Sequence, residues 1–200
     1  MENQGKYRIR PVRRADAPAL LEIYRPYVER TDISFEYETP DVMEFASRIA
    51  AIAEEYPYLV CECDGHPVGY AYAHRHMERA AYGWNAEASV YLAEDCRGRG
   101  IGTALYGALI ELLKMQGIRA AYACITQPND RSMHLHEKLG FQTVGIFPNA
   151  GYKADAWHAI GWLRLAIGDY DGAPMPVIPY EELGSEQVDA VLAEYSEQLN

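Results

Sequence analysis

Three glycines at 98, 100 and 102 lie between a strand-like run, Ala86 to Leu92, and the cleanest helical stripe in the chain. That stripe places Ile101, Ala104, Leu105, Ala108, Leu109, Leu112 and Leu113 on one face, and Gln116-Gly117 closes it with a glycine cap. A strand feeding a helix through such a segment fixes a βα unit. The glycines let backbone N–H groups converge at the positive end of the helix dipole, where phosphate binds. A P-loop would need Gly-Lys-Ser/Thr, but Gly102 is followed by Thr103-Ala104. A dinucleotide fingerprint would need a third glycine at 103 and an early strand of a parallel repeat, and both are missing.

The rest of the chain supplies the partners of this unit. Tyr7 to Val12 alternates as an edge strand, and Asp16 and Pro18 suit the start of a helix carrying Leu20, Ile23, Tyr24 and Tyr27. Val42, Phe45, Ile49 and Ile52 mark a second helix. Tyr58 to Cys63 and Pro67 to His74 form a hairpin about Asp64-Gly65. Ala120 to Ile125, a short helix Ser132 to Leu139 opened by Asn129, and strands Phe141 to Phe147 and Trp157 to Ile167 complete the order. The fold class is α/β (α+β), helices on a mixed sheet. Residues 1–168 are expected as one domain, and 169–200 as a Pro/Gly linker with a short amphipathic helix bearing Val188, Val191, Leu192 and Tyr195.

A net charge of −11 excludes a broad nucleic-acid or anionic-membrane surface, so the basic residues that matter are local. Met1 to Arg10 lacks the apolar run of a signal peptide, and no stretch approaches the roughly 20 apolar residues that span a bilayer. Four cysteines without zinc-ribbon spacing fit reduced thiols, and the expected location is cytoplasmic. His74-x-His76 and His134-x-His136 lack a third ligand at a recognised spacing, so no metal is expected. Most of the 16 tyrosines are expected to be structural.

The segment Arg97-x-x-Gly100-x-Gly102 resembles the pyrophosphate motif of the GNAT N-acetyltransferases. Further segments are similar to the branch acting on phosphinothricin and methionine sulfoximine. They are Asp32-Ile33-Ser34-Phe35, Ala81 to Glu87, Ser89-Val90-Tyr91, Pro128-Asn129-Asp130, Leu135 to Phe141, Ala150 to Lys153, and Trp157-His158. The resemblance implies a GNAT fold whose central sheet splays at the cofactor site, with helices on both faces. It implies acetyl-CoA as co-substrate, held by Val90, Tyr91, Leu92, Arg97, Gly98, Arg99, Gly100, Ile101, Gly102 and Asn129. It also suggests a homodimer.

Direct acetyl transfer through a tetrahedral intermediate needs a deprotonated amine, a polarised thioester and a stabilised thiolate. Glu87 is the one acid between Gly83 and Leu92, and it is assigned as general base; His136 is the second proton carrier. Tyr106 is a weaker candidate at the thiol end, since its helical stripe also explains it as packing. Phe35, Met77, Arg79 and Tyr82 match positions lining the branch's acceptor pocket, where an arginine suits a carboxylate. Met77 departs from the lysine of the herbicide-resistance enzymes and favours a methionine sulfone or sulfoximine over phosphinothricin. A peptide N-terminus as acceptor, and a non-catalytic acyl-CoA-binding module, are the rival readings.

Overall fold

The computed structural model describes residues 5–200; the first four, part of the start read above as free of a signal-peptide run, lie outside the described residues. In chain order the elements are β1 (Tyr7–Pro11), α1 (Ala17–Arg30), α2 (Val42–Glu55), β2 (Tyr58–Cys63), β3 (His66–Arg75) and β4 (Asn85–Leu92). Then follow α3 (Ile101–Gln116), β5 (Ala120–Gln127), α4 (Asp130–Lys138), β6 (Gln142–Lys153), β7 (Ala156–Ala166) and α5 (Ser185–Glu197). The strands form one mixed sheet in the order β1-β2-β3-β4-β5-β7-β6. Every adjacent pair is antiparallel except β4–β5.

Strand alternation divides the core in two. Leu59 and Cys61 of β2 pack with the α3 stripe, whereas Tyr58 and Val60 face α1 and α2. Many of the tyrosines are used on that second face: Tyr58, Tyr70 and Tyr72 stack in a row, and Tyr91 meets Tyr24 and Tyr27 edge-on. Pro26 lies inside α1 without ending it.

Two expectations change. Asp16 does not cap α1 with its side chain. Its carboxylate instead accepts from both terminal nitrogens of Arg10, at 2.7 and 2.9 Å, and from the Arg13 N–H at 2.7 Å. The strand expected to stop at Phe147 continues to Lys153, because Pro148 and Asn149 are absorbed by a ladder irregularity between Phe147 and Gly151 on an edge strand. A turn at Ala154-Asp155, both at positive φ, then leads into β7.

The apolar face of α5 packs on the chain's own α3 and β1. Val188 and Leu192 are buried, and the Tyr195 ring lies where a Cβ on Gly107 would be, 2.2 Å from Cε1. At the end of the chain the Asn200 carboxamide pairs with Tyr7 as a strand would, accepting from its N–H at 2.8 Å and donating to its C=O at 2.9 Å.

Candidate active site

The parallel strands β4 and β5 pair only through Asn85–Ala120, Ala86–Ala121 and Glu87–Tyr122. Beyond Glu87 each keeps its outer partner, β3 or β7, but the two separate. Backbone groups on the inner edge of β4 therefore need other partners. The Ala88 C=O accepts from the Tyr106 hydroxyl at 3.0 Å, and the Tyr27 hydroxyl donates to Leu92 C=O at 2.7 Å while accepting from its N–H at 3.1 Å. Val90 and Tyr91 line the resulting cleft from β4, Ile125 and Thr126 from β5, and Asn129, Ser132 and His136 close its far side.

At the outer end of β4 the glycine segment turns into α3. Gly98 and Gly100 have φ of +77° and +82°, which side chains resist, whereas Gly102 is helical and an added Cβ there would make ordinary contacts with Leu135 and Leu92. The Ala104 N–H closes on Gly100 C=O, so the N–H groups of Ile101, Gly102 and Thr103 stand outside the helix's own ladder, as at any helix start. Such donors at the positive end of a helix dipole have the chemistry that an anion requires. Arg97 lies over the Tyr27 ring at 5.0 Å beside this end of the cleft. Arg99 turns the other way, 3.5 Å from the Tyr7 hydroxyl.

His136 is buried at the floor of the cleft. Its Nδ1 lies 2.7 Å from Ser132 C=O and its Nε2 3.0 Å from the Tyr106 hydroxyl. A carbonyl only accepts, so Nδ1 carries the hydrogen and Nε2 of the neutral ring faces Tyr106 as an acceptor. The phenol, whose pKa is raised far above 10 by burial, then has one proton for two acceptors, Nε2 and Ala88 C=O. Burial also pushes the His136 imidazole below its ordinary 6.5, and the Ser132 bond offsets this only in part. The sign follows: below pH 6.5 the unfolded chain binds a proton that the native one refuses, so His136 makes stability fall as pH falls from there toward the depressed folded value. His136→Gln is expected to shrink the difference in thermal midpoint between pH 7.5 and pH 5.5, as measured by calorimetry.

Glu87 stands at the fork, half-buried, its Oε2 3.4 Å from Nδ1 of His76. Asn129 caps α4 by accepting from the Ser132 N–H through Oδ1, and its amide hydrogens are left for the cleft. Phe35 belongs to a loop held from three sides. Lys153 Nζ donates to Val28 C=O at 2.7 Å and Ser34 C=O at 2.6 Å, His158 meets Asp32 at 3.0 Å, and Tyr24 meets Ser34 at 2.7 Å. The Phe35 ring occupies the space a Cβ on Gly151 would need, which gives the Gly151-Tyr152-Lys153 segment a physical reason. Met77, Arg79 and Tyr82 lie on the exposed β3–β4 connection, joined to the site through His76, and Arg79 makes no ion pair among the described residues.

Tyr27, His76 and Lys153 were not identified from sequence as functional. Their partners lie 65, 11 and 119 to 125 positions away, and no local pattern encodes such contacts. Among the described residues no three His, Cys, Asp or Glu side chains gather as a metal-ligand set.

Residues 9–162 match the model of the acetyltransferase (GNAT) domain. A phosphinothricin N-acetyltransferase of Streptomyces viridochromogenes is 35% identical over 175 residues, covering 88% of this chain and 95% of the relative. An L-methionine sulfoximine/L-methionine sulfone acetyltransferase of Pseudomonas paraeruginosa is 33% identical over 165 residues, covering 80% of this chain and 94% of the relative. Among solved structures, a GNAT superfamily phosphinothricin acetyltransferase of Sinorhizobium meliloti in complex with AcCoA superposes with a TM-score of 0.82 at 31% identity, covering 88% of this chain and 98% of that one. With the splayed parallel pair and the glycine turn already in place, these matches mean that the chain belongs to the GNAT family of acetyltransferases.

Proposed function

We propose that this protein moves the acetyl group of acetyl-CoA to the primary amine of a small amino-acid-like acceptor of the methionine sulfone/sulfoximine or phosphinothricin type. The observation that carries the reading is the fork after Glu87, where β4 and β5 stop pairing and a cleft lined by Val90, Tyr91, Asn129 and His136 opens, with the turn at Gly98 and Gly100 following β4. The pyrophosphate suits the free N–H groups of Ile101 to Thr103 and Arg97, with Arg99 adding local charge, and the pantetheine amides suit the inner edge of β4 and Asn129. The Val90 backbone N–H is the donor for the thioester carbonyl. Glu87 accepts the amine proton, and the amine nitrogen attacks the carbonyl carbon. The tetrahedral intermediate collapses with cleavage of the C–S bond, the surplus proton on the attached nitrogen passing to the departing sulfur, which takes a hydrogen bond from Tyr106 held in place by His136, the second proton carrier.

Phe35, Met77, Arg79 and Tyr82 form the acceptor side in this reading. Arg79 is free to take a carboxylate, and the uncharged Met77 favours the sulfone or sulfoximine side chain. The relatives' substrates support the same class. Gly100→Ala is expected to raise the KM for acetyl-CoA about tenfold, since forcing an L-residue into the left-handed region costs ~1–2 kcal/mol; the acceptor KM stays put. Initial rates with each substrate varied in turn check this.

The acidic balance and four free cysteines support a cytoplasmic location. Homodimerisation is supported by the outer edge strand β6, where Val144, Ile146 and Phe147 are exposed, as are Tyr152 and its ladder partner Trp157 nearer the hairpin turn. Sedimentation equilibrium at micromolar concentration tests it. The overall reading is tested by acceptor-dependent release of CoA thiol: turnover with a sulfone, sulfoximine or phosphinate amino acid supports it, and turnover on a peptide N-terminus alone refutes the acceptor class.

A further inference from the structure

The imidazole of His76 takes no part in the acetyl transfer proposed above, yet it is packed against Glu87. It lies just past the end of β3, with a side chain only 8% exposed. Its ring stacks on Tyr122 with centroids 4.2 Å apart and planes 2° from parallel, and Trp162 closes on it edge-first at 5.2 Å. Residues of β5 and β7 thus fix the ring plane, and Nδ1 faces Glu87 Oε2, 3.4 Å away. A carboxylate only accepts, so Nδ1 carries the hydrogen. Nε2 has no protein partner among the described residues and is not among their buried unpaired atoms, so it reaches solvent.

We propose that His76 is a positioning residue that makes Glu87 a pH-gated base: the neutral ring orients the carboxylate toward the amine, and the imidazolium disables it. This rests on the assignment of Glu87 as general base. The physical ground is that a carboxylate with a cation at this distance is a weaker proton acceptor. Protonation at Nε2 keeps the Nδ1–H bond and changes only the charge, so the gate acts without moving the site. The other groups facing the pair are Tyr122 against His76, and Tyr72, Tyr106 and Cys124 near Glu87. His74 is the partner of Glu87 across the β3–β4 ladder, but its Nδ1 lies 2.9 Å from Arg75 C=O. It is the second imidazole beside Glu87.

The test is the pH dependence of kcat with both substrates saturating, so that the acceptor's own ionisation in free solution does not enter. Wild type is expected to lose activity as the pH is lowered from 8 to 6. His76→Asn keeps an N–H donor toward Glu87 and cannot titrate. It should hold kcat within a few-fold at pH 8 and retain it at pH 6, where wild type has fallen several-fold. His76→Phe keeps the aromatic stack and loses the donor, so its kcat at pH 8 should fall about tenfold with the acid limb also gone. His74→Asn should leave the limb in place. An unchanged limb in a folded His76→Asn, or its loss in His74→Asn alone, overturns the proposal. If Glu87→Gln itself keeps wild-type kcat across the range, the base assignment fails and the gate with it; if Glu87→Gln is crippled while His76→Asn retains the wild-type limb, only the gate fails.

Discussion

Glu87→Gln is expected to lower kcat at pH 7 by about 10²–10⁴-fold, the range that general acid–base catalysis contributes, with little change in the KM for acetyl-CoA. The acceptor amine, with an aqueous pKa near ~10, is almost wholly protonated at pH 7, and holding it neutral costs about 4 kcal/mol. Glutamine keeps the size and hydrogen bonding of the side chain but cannot take the proton. As pH rises toward the pKa of the bound amine, the acceptor loses its proton without the carboxylate and the deficit in kcat should shrink. Steady-state kcat measured from pH 6.5 to 10 checks this. A parallel loss at every pH would point to misplacement of the acceptor rather than a missing base. The location of Glu87 makes the prediction specific, because it is the last β4 residue paired with β5, and the cleft begins beyond it.

Asp16→Ala is expected to carry the largest effect on stability. The Arg10 guanidinium is buried and held by Asp16 through two bonds and by Glu62 through Nε at 2.7 Å. Burial raises the Asp16 pKa, but the bonds from Arg10 and from the Arg13 N–H prevail and leave it below 3.8. Removing one partner of a buried pair costs about 3–5 kcal/mol, and the low end applies while Glu62 remains. In a chain of this size ~3 kcal/mol corresponds to a drop in Tm of roughly 6–12 °C. The carboxylate's contribution is fully present above pH 3.8 and is lost as pH falls through its lower folded value. The variant's deficit should therefore hold from pH 6 to 8 and diminish only in strong acid, as calorimetry would register. The pair also joins the end of β1 to the start of α1, whose Tyr27 braces Leu92.

The legible parts of this site are those written in local pattern. The Arg97 to Gly102 segment and the α3 stripe could be read because conformation, helix start and anion site arise from adjacent residues. Glu87 stood out as an acid in an uncharged strand, and Asn129 as a helix cap. The continuation of β6 past Pro148 was hidden, because an edge strand with a bulge tolerates residues that would break a central one. The carboxylate of Asp16 looked like a cap because the same oxygen atoms serve a cap or an arginine, and only tertiary placement chooses. Tyr27, His76 and Lys153 act on backbone or side chains that the fold brings to them, so neither the Ala150 to Lys153 segment nor the His74-x-His76 pair tells what its residues hold.

One measurement bears on the whole reading: stoichiometric comparison of free CoA thiol released with N-acetylated product formed, over a panel of amino acids, their sulfone, sulfoximine and phosphinate analogues, and short peptides. Thiol and acetyl product are predicted to appear one for one, with small amino acids bearing a sulfone or sulfoximine side chain giving the highest kcat/KM. Acetyl-CoA binding seen by calorimetry without acceptor-dependent thiol release from any amine in the panel would contradict it.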